Sequence, residues 1–328
     1  MKASEEEGGE EEDAPRRREG KGLSGKKLLE YERNGHAKVK RLLKEIGMDV
    51  GEVYKAFDNV FNARLLEAYT QKLRVFGVGE PFLSKLKDPD VARQLLEDVC
   101  EEEEREVPFL QIFHLHEGTS RAAARLRELA LSPKLGRLAS ELMGAKSVML
   151  YQTCAFVKEP GNGETRWHSD LNTAPFDTND MVTFWIALTP VPTLDHAPLE
   201  FATGSHRDFA LPYWYSNEGM KDLDTREYKI TSHQPLVPGD ATVHHGWVLH
   251  AAPPNMSDER RCALAVTYVN ANARTLPKDG LRRQPDDEDL EGYRAWLAKV
   301  KPGTRALNSM LPVVWPPEPD LTRASLPW

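Results

Sequence analysis

The chain has 328 residues, of which 40% are hydrophobic and 29% are charged, values that are ordinary for a globular protein with a large buried core. Its formal net charge of -8 disfavours a broad nucleic-acid-binding surface, because binding phosphates requires a basic face. The three cysteines are widely spaced and form no Cys-x-x-Cys pair, which excludes a disulfide scaffold and a cysteine-rich zinc site.

The sequence contains no recognisable membrane or export signal. No apolar stretch approaches the roughly 20 residues that a membrane helix needs. The first residues are acidic, unlike a secretory signal or an arginine-rich transit peptide, and the last residues do not match a peroxisomal signal. We therefore expect a cytoplasmic protein with no membrane or nucleic-acid partner; nothing in the sequence indicates its oligomeric state.

Residues 1–27 form a charged segment in which an acidic block is followed by a short basic one. This composition cannot bury enough apolar surface to offset the entropy lost on ordering. We predict a disordered tail, with an interaction arm as the alternative.

Residues 28–145 are predicted to form a helical N-terminal region that packs on the core. Apolar residues recur there at three- and four-residue steps, within residues 28–46, 61–73 and 91–99. The clearest helix lies between Ser132, a natural N-cap, and Gly144, a natural stop, with Pro133 at its first position.

After residue 145 the pattern changes to short β-rich runs, at residues 148–157, 181–188, 199–202, 241–247 and 262–269. Glycine- and proline-rich turns separate these runs. Many short strands with such turns predict a mainly β core with flanking α-helices, of the sandwich or jelly-roll kind, over residues 146–273. Residues 274–328 are predicted to form a C-terminal extension with one short helix near residues 290–300.

A metal site is indicated by His168 and Asp170, two residues apart in a predicted strand. Because side chains alternate along a strand, both point to the same face. A second histidine would complete a 2-His-1-carboxylate triad of the kind that binds non-haem iron. Strand alternation alone leaves both His244 and His250 open as the third ligand.

Arg261 stands eleven residues after His250, at the start of the last predicted strand. An arginine beside a metal can hold a carboxylate with two parallel hydrogen bonds, which a lysine cannot do. Its neighbour Arg260 points to the opposite face, and periodicity does not decide which of the two faces the interior.

The segment from about Ser132 to Val269 resembles the phytanoyl-CoA dioxygenase family, with motifs like those of its ectoine hydroxylases. The similarity rests on the sequence WHSD at 167–170, a tryptophan-containing strand at 182–188, the Gly-Ser-His element at 204–206, and the spacing of His250, Asn255 and Arg261. Ala252 departs from the pattern, because relatives often carry serine there.

The resemblance implies a double-stranded β-helix (jelly roll, cupin-like) that uses Fe(II), 2-oxoglutarate and O2. The implied iron ligands are His168, Asp170 and His250, and the implied anchor of the co-substrate's far carboxylate is Arg261. Matching positions around the co-substrate are Trp185, Thr165 and Gln152. Lys158 also matches a basic position, although we expect an ordinary surface lysine there.

The implied activity is hydroxylation of a small-molecule substrate with release of succinate and CO2. One alternative is a zinc-type metal hydrolase, because three nitrogen and oxygen ligands with an open position also suit catalytic zinc. The other is a non-catalytic barrel that binds a small molecule. The sequence does not identify the substrate; candidate determinants are residues 172–179 and the aromatic residues 212–215.

Overall fold

The structure is a computed structural model that describes residues 22–208, 226–277 and 291–317. The aromatic residues 212–215 and nearly all of the predicted tail lie outside the described residues. The helices are α1 Gly25–Asn34, α2 Leu42–Ile46, α3 Val50–Ala63, α4 Leu65–Val75, α5 Glu80–Leu83, α6 Pro89–Glu102, α7 Arg121–Ala130, α8 Pro133–Met143, α9 Asp170–Thr173 and α10 Arg294–Leu297. The strands are β1 His36–Val39, β2 Leu110–Phe113, β3 Val148–Lys158, β4 Thr165–His168, β5 Phe176–Asp177, β6 Met181–Ala187, β7 Glu200–Ala202, β8 Ile230–Ser232, β9 Ala241–His245, β10 His250–Ala252, β11 Arg261–Asn270, β12 Arg274–Thr275 and β13 Val313–Trp315.

Two antiparallel sheets build the core. Within the described residues, the larger sheet has seven strands in the order β1-β9-β6-β11-β3-β13, with β2 also paired with β3. The smaller sheet has four strands in the order β4-β10-β7-β8. The predicted β core with flanking helices, closed as a double-stranded β-helix, is confirmed.

The two faces of the larger sheet differ in the size of their side chains. On β11, Cys262, Leu264 and Val266 pack with the N-terminal helices, whereas Ala263 and Ala265 face the smaller sheet. The alanines leave space between the sheets that larger residues would fill. This alternation places Arg261 on the inner face, which periodicity alone did not decide.

A β-bulge in β3 changes which of its residues face inward. Thr267 of β11 pairs with Gln152, but the next residue, Tyr268, pairs with Leu150, so that Tyr151 is an extra residue. Gln152 continues the alternation of Cys154 and Phe156, and all three line the space between the sheets. Because of the extra residue, Leu150, which has the same parity as Gln152, packs with the helices instead.

The N-terminal region, predicted as helical, contains two strands besides its helices. Strands β1 and β2 lie within it and extend the larger sheet, and α1 begins at Gly25, inside the predicted tail. The predicted helix over residues 132–144 is present as α8, with Gly144 in the left-handed region at its end, but the Ser132 side chain makes no capping hydrogen bond. Among the described helices, none is both long and apolar enough to cross a membrane.

The C-terminal residues 291–317 pack under one end of the sheets. Trp296 of α10 is fully buried and stacks on Phe176, with 5.4 Å between ring centroids. Helix α10 is shorter than the helix predicted near residues 290–300. Strand β13 pairs with the start of β3, so the chain returns to the sheet near its end.

Candidate metal and co-substrate site

A cleft lies between the inner faces of the two sheets. The seven residues singled out in the sequence all line it: Gln152, Thr165, His168, Asp170, Trp185, His250 and Arg261. Their convergence follows from the fold, because they come from β3, β4, the start of α9, β6, β10 and β11.

His168 and Asp170 point into the cleft together, but not from one continuous strand. Strand β4 ends at His168, and Asp170 is the first residue of the short helix α9. Ser169 between them keeps an extended backbone, with φ -126° and ψ 138°. The strand-like alternation therefore continues for one more residue, which preserves the predicted convergence although the predicted strand is shorter.

His250 lies directly opposite His168 across the β4–β10 pair. The carbonyl of Arg166 accepts a hydrogen bond from His168 Nδ1 at 2.7 Å, and that of Val248 accepts one from His250 Nδ1 at 3.1 Å. These bonds place the proton of each ring on Nδ1, so the Nε2 lone pair of each ring is available to a metal. The buried Ser205 hydroxyl accepts a hydrogen bond from the Leu249 amide at 2.9 Å and so holds the start of β10.

The three side chains form a compact donor set. One ligand atom from each of His168, Asp170 and His250 lies within 4.8 Å of the other two. Asp170 Oδ1 is 3.6 Å from His250 Nε2 and 3.9 Å from His168 Nε2. Two imidazole nitrogens and one carboxylate oxygen fit the triad of a non-haem iron(II) site.

The electrostatics keep these groups in the protonation states that a metal requires. Burial, and then the nearby His168 and His244, lower the pKa of His250 well below 6.5. Burial alone would raise the pKa of Asp170, but His250, His244 and His168 together lower it well below its ordinary value. The site thus presents a neutral imidazole and a carboxylate, the forms that bind a cation.

The other oxygen of Asp170 is held by Thr183, which the sequence did not single out, and by His244, which strand alternation had left open as a third ligand. Thr183 on β6 donates a hydrogen bond to Oδ2 at 2.7 Å, and His244 Nε2 on β9 donates another at 3.2 Å. His244 is thereby a partner of the carboxylate, and the compact donor set contains His250 instead. Strand alternation could have indicated both residues, because Thr183 shares strand parity with Trp185, and His244 shares it with His250.

Arg261 lines the same cleft as the donor set and is 2% exposed. Its guanidinium stacks on Trp185, 5.3 Å from the ring centroid, and donates one hydrogen bond to the Phe156 carbonyl at 3.3 Å. Its Nε has no hydrogen-bond partner, and no carboxylate among the described residues pairs with it. Burial consequently lowers its pKa to about 10. A buried cation without a counter-ion fits the carboxylate of a bound dicarboxylic acid.

Lys158 is fully buried, contrary to the expected surface position. It lies opposite Arg261 in the β3–β11 pair, and its ammonium donates to the carbonyls of Gly163, Ala252 and Pro253 at 2.6–3.2 Å. Burial, followed by repulsion from Arg261, lowers its pKa to about 7. Lys158 thus ties the end of β10 to β3, and Asn255 secures the same region by donating to the Lys158 carbonyl at 3.0 Å.

The remaining candidates line the cleft without forming part of the donor set. Gln152 faces the cleft from the bulged part of β3, and its Oε1 is buried with no hydrogen-bond partner. Thr165 lies opposite Ala252 in the β4–β10 pair. The Oε1 of Gln152 lies against Gly292, where a Cβ would come within 2.5 Å of it.

Comparison with known proteins accounts for this arrangement. The family model for phytanoyl-CoA dioxygenase (PhyH) matches residues 31–263, which is most of the chain. The chain belongs to this family. Membership in the phytanoyl-CoA dioxygenase family confirms the predicted class, a 2-oxoglutarate-dependent non-haem iron oxygenase. A search of curated proteins found no matching sequence.

Solved structures share the fold at low sequence identity. The carbocyclase SnoK from nogalamycin biosynthesis is 22% identical with a TM-score of 0.56, over 89% of this chain and 96% of SnoK. The epimerase SnoN, solved with Fe3+, alpha ketoglutarate and nogalamycin RO, is 20% identical with a TM-score of 0.55, over 88% and 97% of the two chains. EctD from S. alaskensis, solved with 2-oxoglutarate and 5-hydroxyectoine, is 19% identical with a TM-score of 0.54, over 80% and 82%.

Proposed function

We propose that this protein is a dioxygenase that uses Fe(II), 2-oxoglutarate and O2 to hydroxylate a small-molecule substrate, with release of succinate and CO2. The observation that carries the proposal is the pairing, in one cleft, of a 2-His-1-carboxylate donor set with a buried arginine that lacks a counter-ion. A site that only bound a metal would gain nothing from that uncompensated charge.

His168, Asp170 and His250 would hold the iron, which supplies the oxidising chemistry when it is bound. Arg261 would pair with the far carboxylate of 2-oxoglutarate, and Trp185 keeps the guanidinium flat against the cleft wall. Thr183 and His244 hold Oδ2 of Asp170, so that Oδ1 is directed toward the two histidines. The chain thus contributes position and charge compensation.

The small side chains of β11 leave the cleft open between the triad and Arg261, while the surrounding apolar residues limit the access of water. The lining includes Trp185, Leu199 and Phe156 next to the polar groups. Such a mixture suits a small organic substrate beside the co-substrate. In the relatives, SnoN binds nogalamycin RO and EctD binds 5-hydroxyectoine, which supports a small-molecule substrate here.

The test is succinate formation by iron-loaded protein supplied with 2-oxoglutarate and O2. We expect slow succinate release without substrate, abolished in His168→Ala. The matched control is His196→Ala, whose imidazole bonds Thr193 and does not line the cleft. Equal succinate release by wild type and His168→Ala would contradict the proposal.

Hydroxylation is measured separately, because SnoK is a carbocyclase and SnoN an epimerase. A metabolite screen with isotopically labelled O2 should give a product that carries one labelled oxygen atom. Coupled succinate formation without label in the product would reject hydroxylation and retain the oxygenase class. If the zinc-loaded protein hydrolyses a metabolite and the iron-loaded protein forms no succinate, the metal hydrolase would be favoured. Binding of a metabolite with neither reaction would favour the non-catalytic barrel.

A further inference from the structure

A second cluster of metal-ligating side chains lies where β2 meets the turn before α7. One ligand atom from each of His114, His116 and Glu117 lies within 4.8 Å of the other two. Both histidines are buried, while Glu117 is exposed. The residues are nearly consecutive, so the cluster is built by one turn and opens to solvent on the side of the glutamate.

The hydrogen bonds of His114 determine which ring nitrogen can bind a cation. Its Nε2 donates to the Gly292 carbonyl at 2.8 Å, so Nδ1 carries the lone pair. His114 is 8% exposed, and Nδ1 is buried with no hydrogen-bond partner. The nearest charged group is the Glu117 carboxylate, 3.8 Å away. Two acceptors that face each other at this distance are satisfied by a cation between them.

His116 is oriented in a similar way. Its Nδ1 hydrogen-bonds with the Thr153 hydroxyl at 2.9 Å, and its amide donates to the same oxygen at 3.3 Å. When Nδ1 donates to this hydroxyl, the ring is held in place and Nε2 carries the lone pair. Partners that orient a histidine through the other ring nitrogen are a regular feature of metal sites.

The backbone and the surrounding charges are compatible with a site here. His114 has a positive φ of 55°, a strained conformation that non-glycine residues adopt mainly where function or packing requires it. The nearby Arg64 is paired with Glu67 at 2.6 Å, and Arg127 donates to the Gly118 carbonyl at 2.7 Å.

We propose that His114, His116 and Glu117 form a second metal site, separate from the iron triad, that binds a zinc-like divalent cation. Two imidazole nitrogens and one carboxylate oxygen are ligands that zinc accepts, with water at the remaining position. Because His114 also holds the Gly292 carbonyl, the cation would tie the turn after β2 to residues 291–317. Binding of a cation at this second site would require neither 2-oxoglutarate nor catalytic turnover.

The test is a zinc titration of the metal-free full chain, followed by equilibrium dialysis and elemental analysis. We expect two zinc ions per wild-type chain and one in His168→Ala. Glu117→Gln and His116→Gln should weaken only the second zinc, by at least tenfold ( gives about 10–100-fold for lesser changes). The matched control is Glu259→Gln, since Glu259 lies the same 3.8 Å from His196, but no second histidine in the described part of the chain completes a ligand set there.

Glu117 is exposed, so its substitution is expected to leave the fold intact, which circular dichroism would verify. One zinc per wild-type chain together with none in His168→Ala would overturn the proposal. Two zinc ions bound with unchanged affinity in both Glu117→Gln and His116→Gln would overturn it as well. Only the His168→Ala variant reports on zinc bound at the iron triad. A failure of the proposed second site can therefore be distinguished from a failure of the proposed oxygenase function.

Discussion

Replacement of Arg261 by leucine should separate co-substrate binding from metal binding. Burial lowers the pKa of Arg261 from 12.5 to about 10, which corresponds to about 3 kcal/mol against the charged form. A carboxylate that pairs with the guanidinium recovers free energy of this order. A change of 1.4 kcal/mol is tenfold in affinity, so Arg261→Leu should weaken 2-oxoglutarate binding by about 100-fold.

The same reasoning predicts the opposite effect on the unliganded protein. Without a bound carboxylate, the buried charge is uncompensated, and its replacement by an apolar residue of similar length should leave the free energy of unfolding unchanged or raise it. Affinity for Mn(II), as a redox-stable substitute for iron, should not change. The two effects together distinguish a co-substrate anchor from an arginine that supports the fold.

The assay is calorimetric titration of 2-oxoglutarate into Mn(II)-loaded protein, with chemical denaturation of the metal-free form. The control is Arg260→Leu, because Arg260 lies on the outer face and pairs with Asp58 at 3.2 Å and Glu159 at 3.0 Å. Affinity for 2-oxoglutarate within threefold of wild type in a folded Arg261→Leu protein would refute the reasoning.

Three further predictions concern the triad and its support. Thr183→Val removes the 2.7 Å hydrogen bond to Asp170 and should weaken Mn(II) binding about tenfold. The control is Thr267→Val, whose hydroxyl contacts only Thr183 among the described side chains and which should change Mn(II) affinity much less. Equal losses of affinity in the two variants would contradict the role of Thr183. Gly246→Ala would bring a Cβ within 2.6 Å of Leu171 in α9 and should lower the free energy of unfolding, measured with denaturant, by about 1–3 kcal/mol. Gly25→Ala, whose Cβ would meet open space, should leave it unchanged. An unchanged unfolding free energy in Gly246→Ala would show that α9 can shift to accommodate the methyl group. Burial lowers the folded-state pKa of several histidines below 6.5, so these histidines bind a proton more readily in the unfolded chain. The free energy of unfolding should therefore be highest above pH 6.5 and fall as the pH drops toward 4, by about 1.4 kcal/mol per histidine per pH unit. An unfolding free energy that does not change between pH 7 and 5 would exclude this. The histidines concerned are His36, His116, His233 and His245.

The core strands could be predicted because both of their faces are constrained. Strands β3, β6 and β11 are largely apolar runs bounded by turn residues, and β9 follows a Pro-Gly-Asp turn. The sequence predicts each of the four to within a few residues. Strands β1 and β2 were missed because they have four residues each and lie among helical repeats. Gly35, at φ 82°, ends α1 and allows the turn into β1, a signal that a single glycine does not distinguish from an ordinary helix end.

The site was predictable where spacing carries the information and not where tertiary contacts do. His168, Asp170 and Arg261 reach the cleft because alternation holds locally. Gln152 reaches it by the same alternation, in step with Cys154 and Phe156, but the bulge at Tyr151 then moves Leu150 to the helix-facing side, a change of parity that no residue type indicates. The contact between His244 and Asp170 joins β9 to α9 across the cleft, so it depends on the packing of the two sheets and not on sequence distance.

Strands β1 and β13, described above as additions to the larger sheet, have a consequence for how the chain can be divided. β1 covers the free side of β9, while β2 and β13 cover opposite ends of the free side of β3. A fragment restricted to residues 146–273 would keep every triad residue and yet expose two rows of unpaired backbone groups. Such rows template edge-to-edge association between molecules. We therefore expect a fragment limited to residues 146–273 to self-associate where the full chain does not.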